Sequence, residues 1–160
     1  MEVQLTMIKK IFPFVFAIFG AGSFLLFLIP VYGFVGSGLS HAYNFYALFE
    51  AANFPLIGLI FFVIGMIVCF LMVVYAVVAL LGNDRCEEFR DKYDTIINPS
   101  LSIAYFVSML AILVSIIIFV IEGSRKIVLP GSIILTVIGI AMIGLCIKDA
   151  KDSKKLSIKK

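Results

Sequence analysis

Residues 55–81 read PLIGLIFFVIGMIVCFLMVVYAVVALL, an unbroken apolar stretch that contains no Asp, Glu, Lys, Arg or His. A helix needs about 20 apolar residues to cross the hydrocarbon core of a bilayer, and this stretch is longer than that. A helix that is apolar on all sides must be buried, either in a large core or in a membrane. The stretch therefore predicts a membrane-spanning helix, which tilts or protrudes because of its length.

The rest of the chain has the same character. Hydrophobic residues make up 62% of it and charged residues 14%, whereas a soluble domain is roughly 45–50% apolar and about 25% charged. We therefore predict an all-α polytopic membrane protein, a single four-transmembrane-helix antiparallel bundle spanning residues 1–160. The predicted spans are residues 11–35, 55–81, 99–121 and 129–147. Residues 82–98 are predicted to form a connecting helix, and residues 148–160 a basic cytoplasmic tail.

Helix start signals precede three of the spans. Asn53 comes shortly before Pro55, Asn98 directly before Pro99, and Pro130 lies at the beginning of the last span. Asn is a favoured N-cap, and proline fits the first helical turn because no hydrogen bond is lost there. The signals predict that the last three spans are separate helices with defined beginnings.

The first span has a second interpretation. Lys9 and Lys10 followed by apolar residues resemble the start of a secretory signal peptide. The apolar run from Ile11 to Ile29 is longer than the 7–15 residues typical of such a peptide, which favours a retained span. Pro30 is predicted to end or kink this helix.

Basic residues predict the orientation, because they are retained on the cytoplasmic side of a membrane. Only Arg125 and Lys126 flank the spans on one side, and the first loop on that side has no Lys or Arg. The other side holds eleven basic residues: Lys9, Lys10, Arg85, Arg90, Lys92, Lys148, Lys151, Lys154, Lys155, Lys159 and Lys160. Both termini are predicted to be cytoplasmic, in a prokaryotic plasma membrane. The basic tail is expected to anchor this topology, with attraction of anionic lipids as the alternative.

Small side chains mark where the helices are expected to pack. Membrane helices associate by close packing rather than by a hydrophobic driving force, so interfaces are rich in Gly, Ala, Ser and Thr. Such residues recur every three or four positions in the third span, and matching ones occur in the fourth. The predicted helix-packing seam consists of Ala104, Ser108, Ala111, Ser115, Thr136 and Gly139. A lipid groove or an oligomer face is the alternative use of such a stripe.

The segment at 40–53, SHAYNFYALFEAAN, is the most unusual part of the chain because it is aromatic and lacks positive charge. Its periodicity predicts a short amphipathic helix in the outer loop, with Ser40 as the N-cap. If a surface of this protein contacts a partner or lipid, we expect it here. The predicted contact residues are His41, Tyr43, Phe45, Tyr46, Phe49 and Glu50. The alternative is an aromatic belt that only anchors the loop.

The sequence contains no pattern that predicts catalysis or cofactor binding. Cys69, Cys86 and Cys146 form no CxxC pair or zinc spacing, so no metal site and no cofactor are predicted. On an ideal helix, His41 and Glu50 would lie on nearly opposite sides. The formal charge of +3 is too small to indicate nucleic-acid binding.

These observations favour a non-enzymatic membrane protein. We expect a small accessory or scaffold subunit that binds a membrane-protein partner or membrane lipids, because good packing seams occur without catalytic chemistry. The first alternative is a homo-oligomeric transporter or channel. The second is a membrane enzyme that acts on lipids through His41 or Glu50.

Overall fold

The computed structural model describes residues 2–35, 40–51, 53–81, 84–123, 126–128 and 130–157. Four helices account for most of this part of the chain: α1 (Glu2–Leu26), α2 (Leu56–Leu80), α3 (Asp84–Glu122) and α4 (Pro130–Ser157). The remaining elements are the strands β1 (Tyr32–Val35), β2 (Ser40–Tyr43) and β3 (Lys126–Val128), and a 3₁₀-helix, η1 (Phe45–Phe49).

Three of the helices in the described part of the chain are long and apolar enough to cross a membrane. They are α2, the Ile96–Glu122 part of α3 and the Pro130–Lys148 part of α4, with mean hydropathies of 3.1, 2.8 and 2.3. The apolar part of α1, Pro13–Leu26, is shorter. A largely helical membrane protein, as predicted, is supported by these helices.

The predicted first span, residues 11–35, is wrong at its C-terminal end. Helix α1 ends at Leu26 and is followed by a turn in which the Ile29 amide donates to the Leu26 carbonyl. Pro30 comes next, and its missing amide hydrogen and its ring disfavour continuation of the helix. The chain then enters β1 at Tyr32, because a β partner is available there.

The predicted helix start at Asn98 and Pro99 is also wrong. Helix α3 runs without interruption from Asp84 to Glu122, with Pro99 inside it. Proline has no amide hydrogen, so the Thr95 carbonyl loses its usual helical donor. The connecting helix and the third span are therefore one continuous helix, because both halves favour the helical conformation and one lost bond does not separate them.

The boundaries of the other two spans are closer to expectation. Helix α2 begins at Leu56, but its N-cap residue is Pro55, which makes no side-chain capping hydrogen bond. Asn53 instead has a left-handed backbone with φ 64°, a conformation that Asn tolerates better than most residues. Helix α4 begins at Pro130 and continues through the predicted basic tail to Ser157; Leu129, the predicted start, lies outside the described residues.

Helices α1 and α2 pack against each other with aromatic rings at two levels. Phe16 meets Tyr75 in an edge-to-face contact with centroids 5.8 Å apart, and Phe27 meets Phe62 at 5.2 Å. The later residue of the first segment, Phe27, pairs with the earlier residue of α2, Phe62. The two helices are therefore antiparallel neighbours.

Helices α2 and α3 approach closely along a line of glycines. A Cβ on Gly58 would lie 2.6 Å from the Ser115 Cβ, and one on Gly65 would lie 2.8 Å from the Met109 Cε and 3.5 Å from the Ser108 Cβ. Ser108 and Ser115 are buried. The pairing again runs in opposite directions along the two helices, and the glycines permit the close approach.

Helices α3 and α4 form the third antiparallel pair. The Ser102 Oγ lies 3.3 Å from the Cys146 Sγ, and a Cβ on Gly139 would lie 3.0 Å from the Phe106 Cα. Thr136 is buried and donates to the Ser132 carbonyl, 2.9 Å away. Small side chains therefore line this contact as well.

A three-stranded antiparallel sheet, in the order β2-β1-β3, departs from the predicted all-α fold. Strand β1 pairs with β2 from Tyr32 opposite Tyr43, and with β3 from Tyr32 opposite Val128. The sheet joins the α1–α2 connection to the α3–α4 connection. We call this end of the molecule the sheet end. We call the opposite end, where the apolar part of α3 begins and the apolar part of α4 ends, the far end.

The predicted helix over 40–53 is only partly correct. Residues Ser40–Tyr43 form β2, and a short helix follows over Phe45–Phe49. Its N-cap is Asn44 rather than Ser40. The pairing of β2 with β1 uses backbone groups from a distant part of the chain, which helical periodicity does not reveal.

Candidate interaction surface

The turn that carries the predicted contact residues is held by specific hydrogen bonds. The Asn44 Oδ1 accepts from the Ala47 amide at 3.2 Å, which caps η1. The Phe45 amide donates to the Phe27 carbonyl at 3.2 Å, which ties the start of η1 to the end of α1. Phe45 and Leu48 are fully buried beneath the turn. The turn is therefore docked on the helices rather than free in the loop.

Phe62 is the centre of an aromatic cluster at this end. It is fully buried on α2, and its ring centroid lies 5.6 Å from that of Phe45, in a stacked arrangement. Tyr46 packs against it edge-to-face at 5.9 Å, and Phe49 packs against it at 5.4 Å. Such pairs contribute about 0.5–1.5 kcal/mol each beyond the burial of their area.

Two members of the cluster reach the surface. Tyr46 is 40% exposed and Phe49 is 50% exposed, although both rings contact Phe62. We call Tyr46 and Phe49 the aromatic surface. Large aromatic side chains held in one position are well suited to recognition, because little conformational entropy remains to be lost on binding.

Tyr43, another predicted contact residue, belongs to a second aromatic group. Its ring stacks on that of Tyr32 with centroids 5.1 Å apart, and Tyr32 meets Phe119 edge-to-face at 5.4 Å. Burial raises the pKa of Tyr32 above its usual value, and the neighbouring Tyr43 raises it further. This group fastens the sheet to α3, so Tyr43 has a structural contact of its own.

The predicted pair of ionisable residues is divided between two elements. His41 lies in β2 opposite Phe34, and its side chain lies outside the described part of the structure. Glu50 is exposed and is the C-cap of η1. The described residues hold no group of three or more His, Cys, Asp or Glu side chains that could bind a metal ion.

The predicted packing residues are placed as follows. Ser108 and Ser115 are buried, and each hydroxyl donates at 2.8 Å to a carbonyl one turn earlier, that of Ala104 and of Ala111. Ala104 and Ala111 themselves are partly buried. Thr136 and Gly139 are buried on α4. The serine hydroxyls are thus satisfied within α3 and leave an apolar, closely packed surface for α2.

Sequence reasoning missed Gly58, which makes a closer approach to α3 than Gly65 does. The signal for it exists, since Gly58 and Gly65 are seven residues apart, and so are Ser108 and Ser115. Matching spacings of small residues on two antiparallel helices indicate a shared contact line.

A buried hydroxyl pair lies between α1 and α3. The Ser23 Oγ donates to the Phe19 carbonyl at 2.6 Å and lies 2.9 Å from the Tyr105 Oη. Because serine has one hydroxyl proton, the Tyr105 hydroxyl must donate to Ser23. Both residues are fully buried, and this arrangement links the two helices without exposing a reactive group.

A cavity of about 170 Å³ opens between α3 and α4 at the far end. We call it the α3–α4 groove, and it is lined by Pro99, Ser102, Ile103, Ile143, Cys146 and Ile147. It lies at the other end of the helices from the aromatic surface.

No protein family, curated protein or solved structure matches this chain. The function is therefore argued from the residues and contacts described above.

Proposed function

We propose that this protein is a non-enzymatic accessory subunit of the membrane, which binds a second membrane-spanning protein through its aromatic surface. The supporting observation is that Tyr46 and Phe49 are 40% and 50% exposed while both pack against the buried Phe62. A few residues supply most of the binding energy in protein interfaces, and tyrosine is among the types enriched there. The only charged side chain close by in sequence is Glu50, so an apolar partner surface fits best.

The proposal includes a placement in the membrane. The proposed arrangement is four spans in an antiparallel bundle with both termini cytoplasmic. It is supported by three helices that are long and apolar enough to cross a membrane and by α1, whose shorter apolar part, Pro13–Leu26, packs beside α2. The eleven-to-two division of basic residues supports this orientation. The aromatic surface then lies at the outer side of the membrane, where a partner and the lipid headgroups are both within reach. A prokaryotic plasma membrane stays a prediction.

The experiment compares two double variants after gentle extraction from the native membrane. Tyr46→Ala/Phe49→Ala removes the aromatic surface, whereas Phe14→Ala/Phe70→Ala removes two other exposed aromatic side chains, which are 55% and 60% exposed. Native mass spectrometry measures the stoichiometry of any co-purifying protein. We expect the wild type and the control to retain a partner in a fixed ratio. The Tyr46→Ala/Phe49→Ala variant should lose at least about tenfold in affinity, since one hot spot exceeds 1.4 kcal/mol.

Two results would overturn the proposal. Equal partner recovery from both double variants would mean that the exposed rings only anchor the loop at the interface. A homo-oligomer without another protein would favour the transporter or channel, which flux into liposomes then tests. The lipid-acting enzyme predicts instead that His41→Ala or Glu50→Ala abolishes an activity while the fold persists.

A further inference from the structure

We propose that the α3–α4 groove binds one acyl chain of an anionic phospholipid, whose phosphate is held by Lys148 and Lys151. The inference rests on the proposed membrane placement but not on the protein partner, since the groove and the aromatic surface lie at opposite ends of the helices. Three features of the groove carry it: its size, its lining and the charge at its end.

The size of the groove fits a segment of hydrocarbon chain. Its volume is about 170 Å³, and an apolar cavity of about 150 Å³ stays dry and accepts benzene. Ile103 and Ile147 in its lining are 52% and 50% exposed. The groove is therefore open toward the side where lipid lies.

The polar groups in the lining already have partners. The Ser102 hydroxyl donates to the Asn98 carbonyl at 2.8 Å, and the Cys146 sulfur lies 3.3 Å from the Ser102 Oγ. Pro99 offers no amide hydrogen. The lining groups that are left to contact a ligand are apolar, namely the proline ring and the three isoleucine side chains. The lining therefore selects an apolar chain and offers nothing to a polar solute.

The charge at the end of the groove selects the headgroup. The apolar part of α4 ends at Lys148, directly after the lining residue Ile147, and Lys151 follows Ile147 by one helical turn. Both lysines are exposed. Residues 148–160 contain six lysines and two aspartates, so this segment has a positive net charge. Long lysine side chains reach the interface and bind phosphate as flexible point charges.

Occupancy also explains why the cavity need not weaken the protein in a membrane. Empty space beside packed side chains forfeits dispersion contacts. An acyl chain restores those contacts, and the lysines add electrostatic attraction to an anionic headgroup. A zwitterionic lipid with the same chains would make the same dispersion contacts but would gain much less electrostatic attraction.

The test is a titration of the detergent-solubilised protein with dioleoylphosphatidylglycerol and, separately, with dioleoylphosphatidylcholine, followed by native mass spectrometry. We expect the anionic lipid to bind about tenfold more tightly, since each lysine near a membrane surface contributes measurably to anionic-lipid binding. Ile147→Trp fills the groove and should reduce binding of both lipids. Ile140→Trp is the matched control, because Ile140 is 56% exposed on α4 and does not line the groove.

A second pair of variants isolates the headgroup. Lys148→Gln/Lys151→Gln should abolish the preference for the anionic lipid, whereas Arg125→Gln/Lys126→Gln should preserve it, because Lys126 lies in β3 at the sheet end. These positions do not depend on groove packing, so they test the proposal even if Ile147→Trp fails to fold. Equal affinity of the wild type for both lipids, or equal binding by the two tryptophan variants, would overturn it. Neither result bears on partner binding at the aromatic surface.

Discussion

The sheet end and the far end of the molecule are built from the same helices, yet they are packed in different ways. At the sheet end, Gly58 brings α2 against Ser115 of α3, and aromatic rings interlock around Phe62. At the far end, a cavity of about 170 Å³ separates parts of α3 and α4. Among the described residues, each end holds one buried side-chain oxygen without a hydrogen-bond partner, the Ser132 Oγ at the sheet end and the Asn98 Oδ1 at the far end. The ends therefore differ in packing rather than in how well their polar groups are satisfied.

The contrast indicates where stability is concentrated. In lipid, helices gain little from leaving water, so close packing supplies much of their association energy. Packing of this kind is dense at the sheet end, where the strands also pair and the rings of Tyr32, Phe54 and Phe119 meet. Substitutions at the sheet end should therefore lower the free energy of unfolding more than similar ones at the far end.

The largest effect is expected for Phe62→Ala. The ring is fully buried and contacts four other aromatic rings, so its removal leaves a cavity that the surrounding turn cannot fill. We expect a loss of about 3 kcal/mol in the free energy of unfolding, measured by circular dichroism during titration with a denaturing detergent. Phe70→Ala on the same helix is the control, because Phe70 is 60% exposed and should cost far less. Equal losses for both variants would contradict a special role for the cluster.

Glycine substitutions are expected to change the free energy of unfolding less. The change is a loss at Gly58, whereas at the control position Gly144 stability is unchanged or rises. Gly58→Ala places a Cβ 2.6 Å from the Ser115 Cβ and 2.7 Å from the Phe54 ring, which should cost about 1–3 kcal/mol through overpacking. Gly144→Ala, on the part of α4 toward the far end, meets nothing within 4 Å. It should leave stability unchanged or raise it by up to about 1 kcal/mol, because alanine favours helix. The same unfolding titration measures both, and a neutral Gly58→Ala would remove the evidence for the close seam.

The smallest effect is expected for Asn98→Leu at the far end. The Asn98 Oδ1 is buried without a hydrogen-bond partner, so its replacement by carbon removes the desolvation cost of that oxygen. The backbone carbonyl that accepts from Ser102 is unaffected. We expect a change within about 0.5 kcal/mol, in the stabilising direction. A loss above about 1 kcal/mol would show that the amide makes a contact in the membrane that stabilises this end.

The sequence predicts the apolar helices well, because their signal is local and strong. The stretch at 55–81 matches α2 (Leu56–Leu80) closely, since no charge interrupts it. The continuity of α3 through Pro99 is not predictable in the same way, because proline fits both the first turn of a new helix and a tolerated interior position in a membrane helix. Only the surrounding structure decides between these two uses of Pro99.

The sheet and the aromatic surface show a different limit. Tyr46 and Phe49 are predicted contact residues because the segment is aromatic and lacks positive charge, and both are exposed. The pairing of β1 with β2 and β3 depends on residues far apart in sequence, and strands of three or four residues carry too short a pattern to be recognised alone. Gly58 was missed for a related reason, since its importance depends on the position of Ser115 on another helix.

The small sheet also has a mechanical consequence. Strand β1 continues the helical hairpin formed by α1 and α2, whereas β3 belongs to the hairpin formed by α3 and α4, and the two strands are in register over three residue pairs. Sliding one hairpin along the other would break these backbone bonds. The α1–α2 hairpin is also tied to the α3–α4 hairpin at the far end, because α2 ends at Leu80 and α3 begins at Asp84. The two hairpins are therefore held together at both ends, and the sheet sets their relative position along the helix axes.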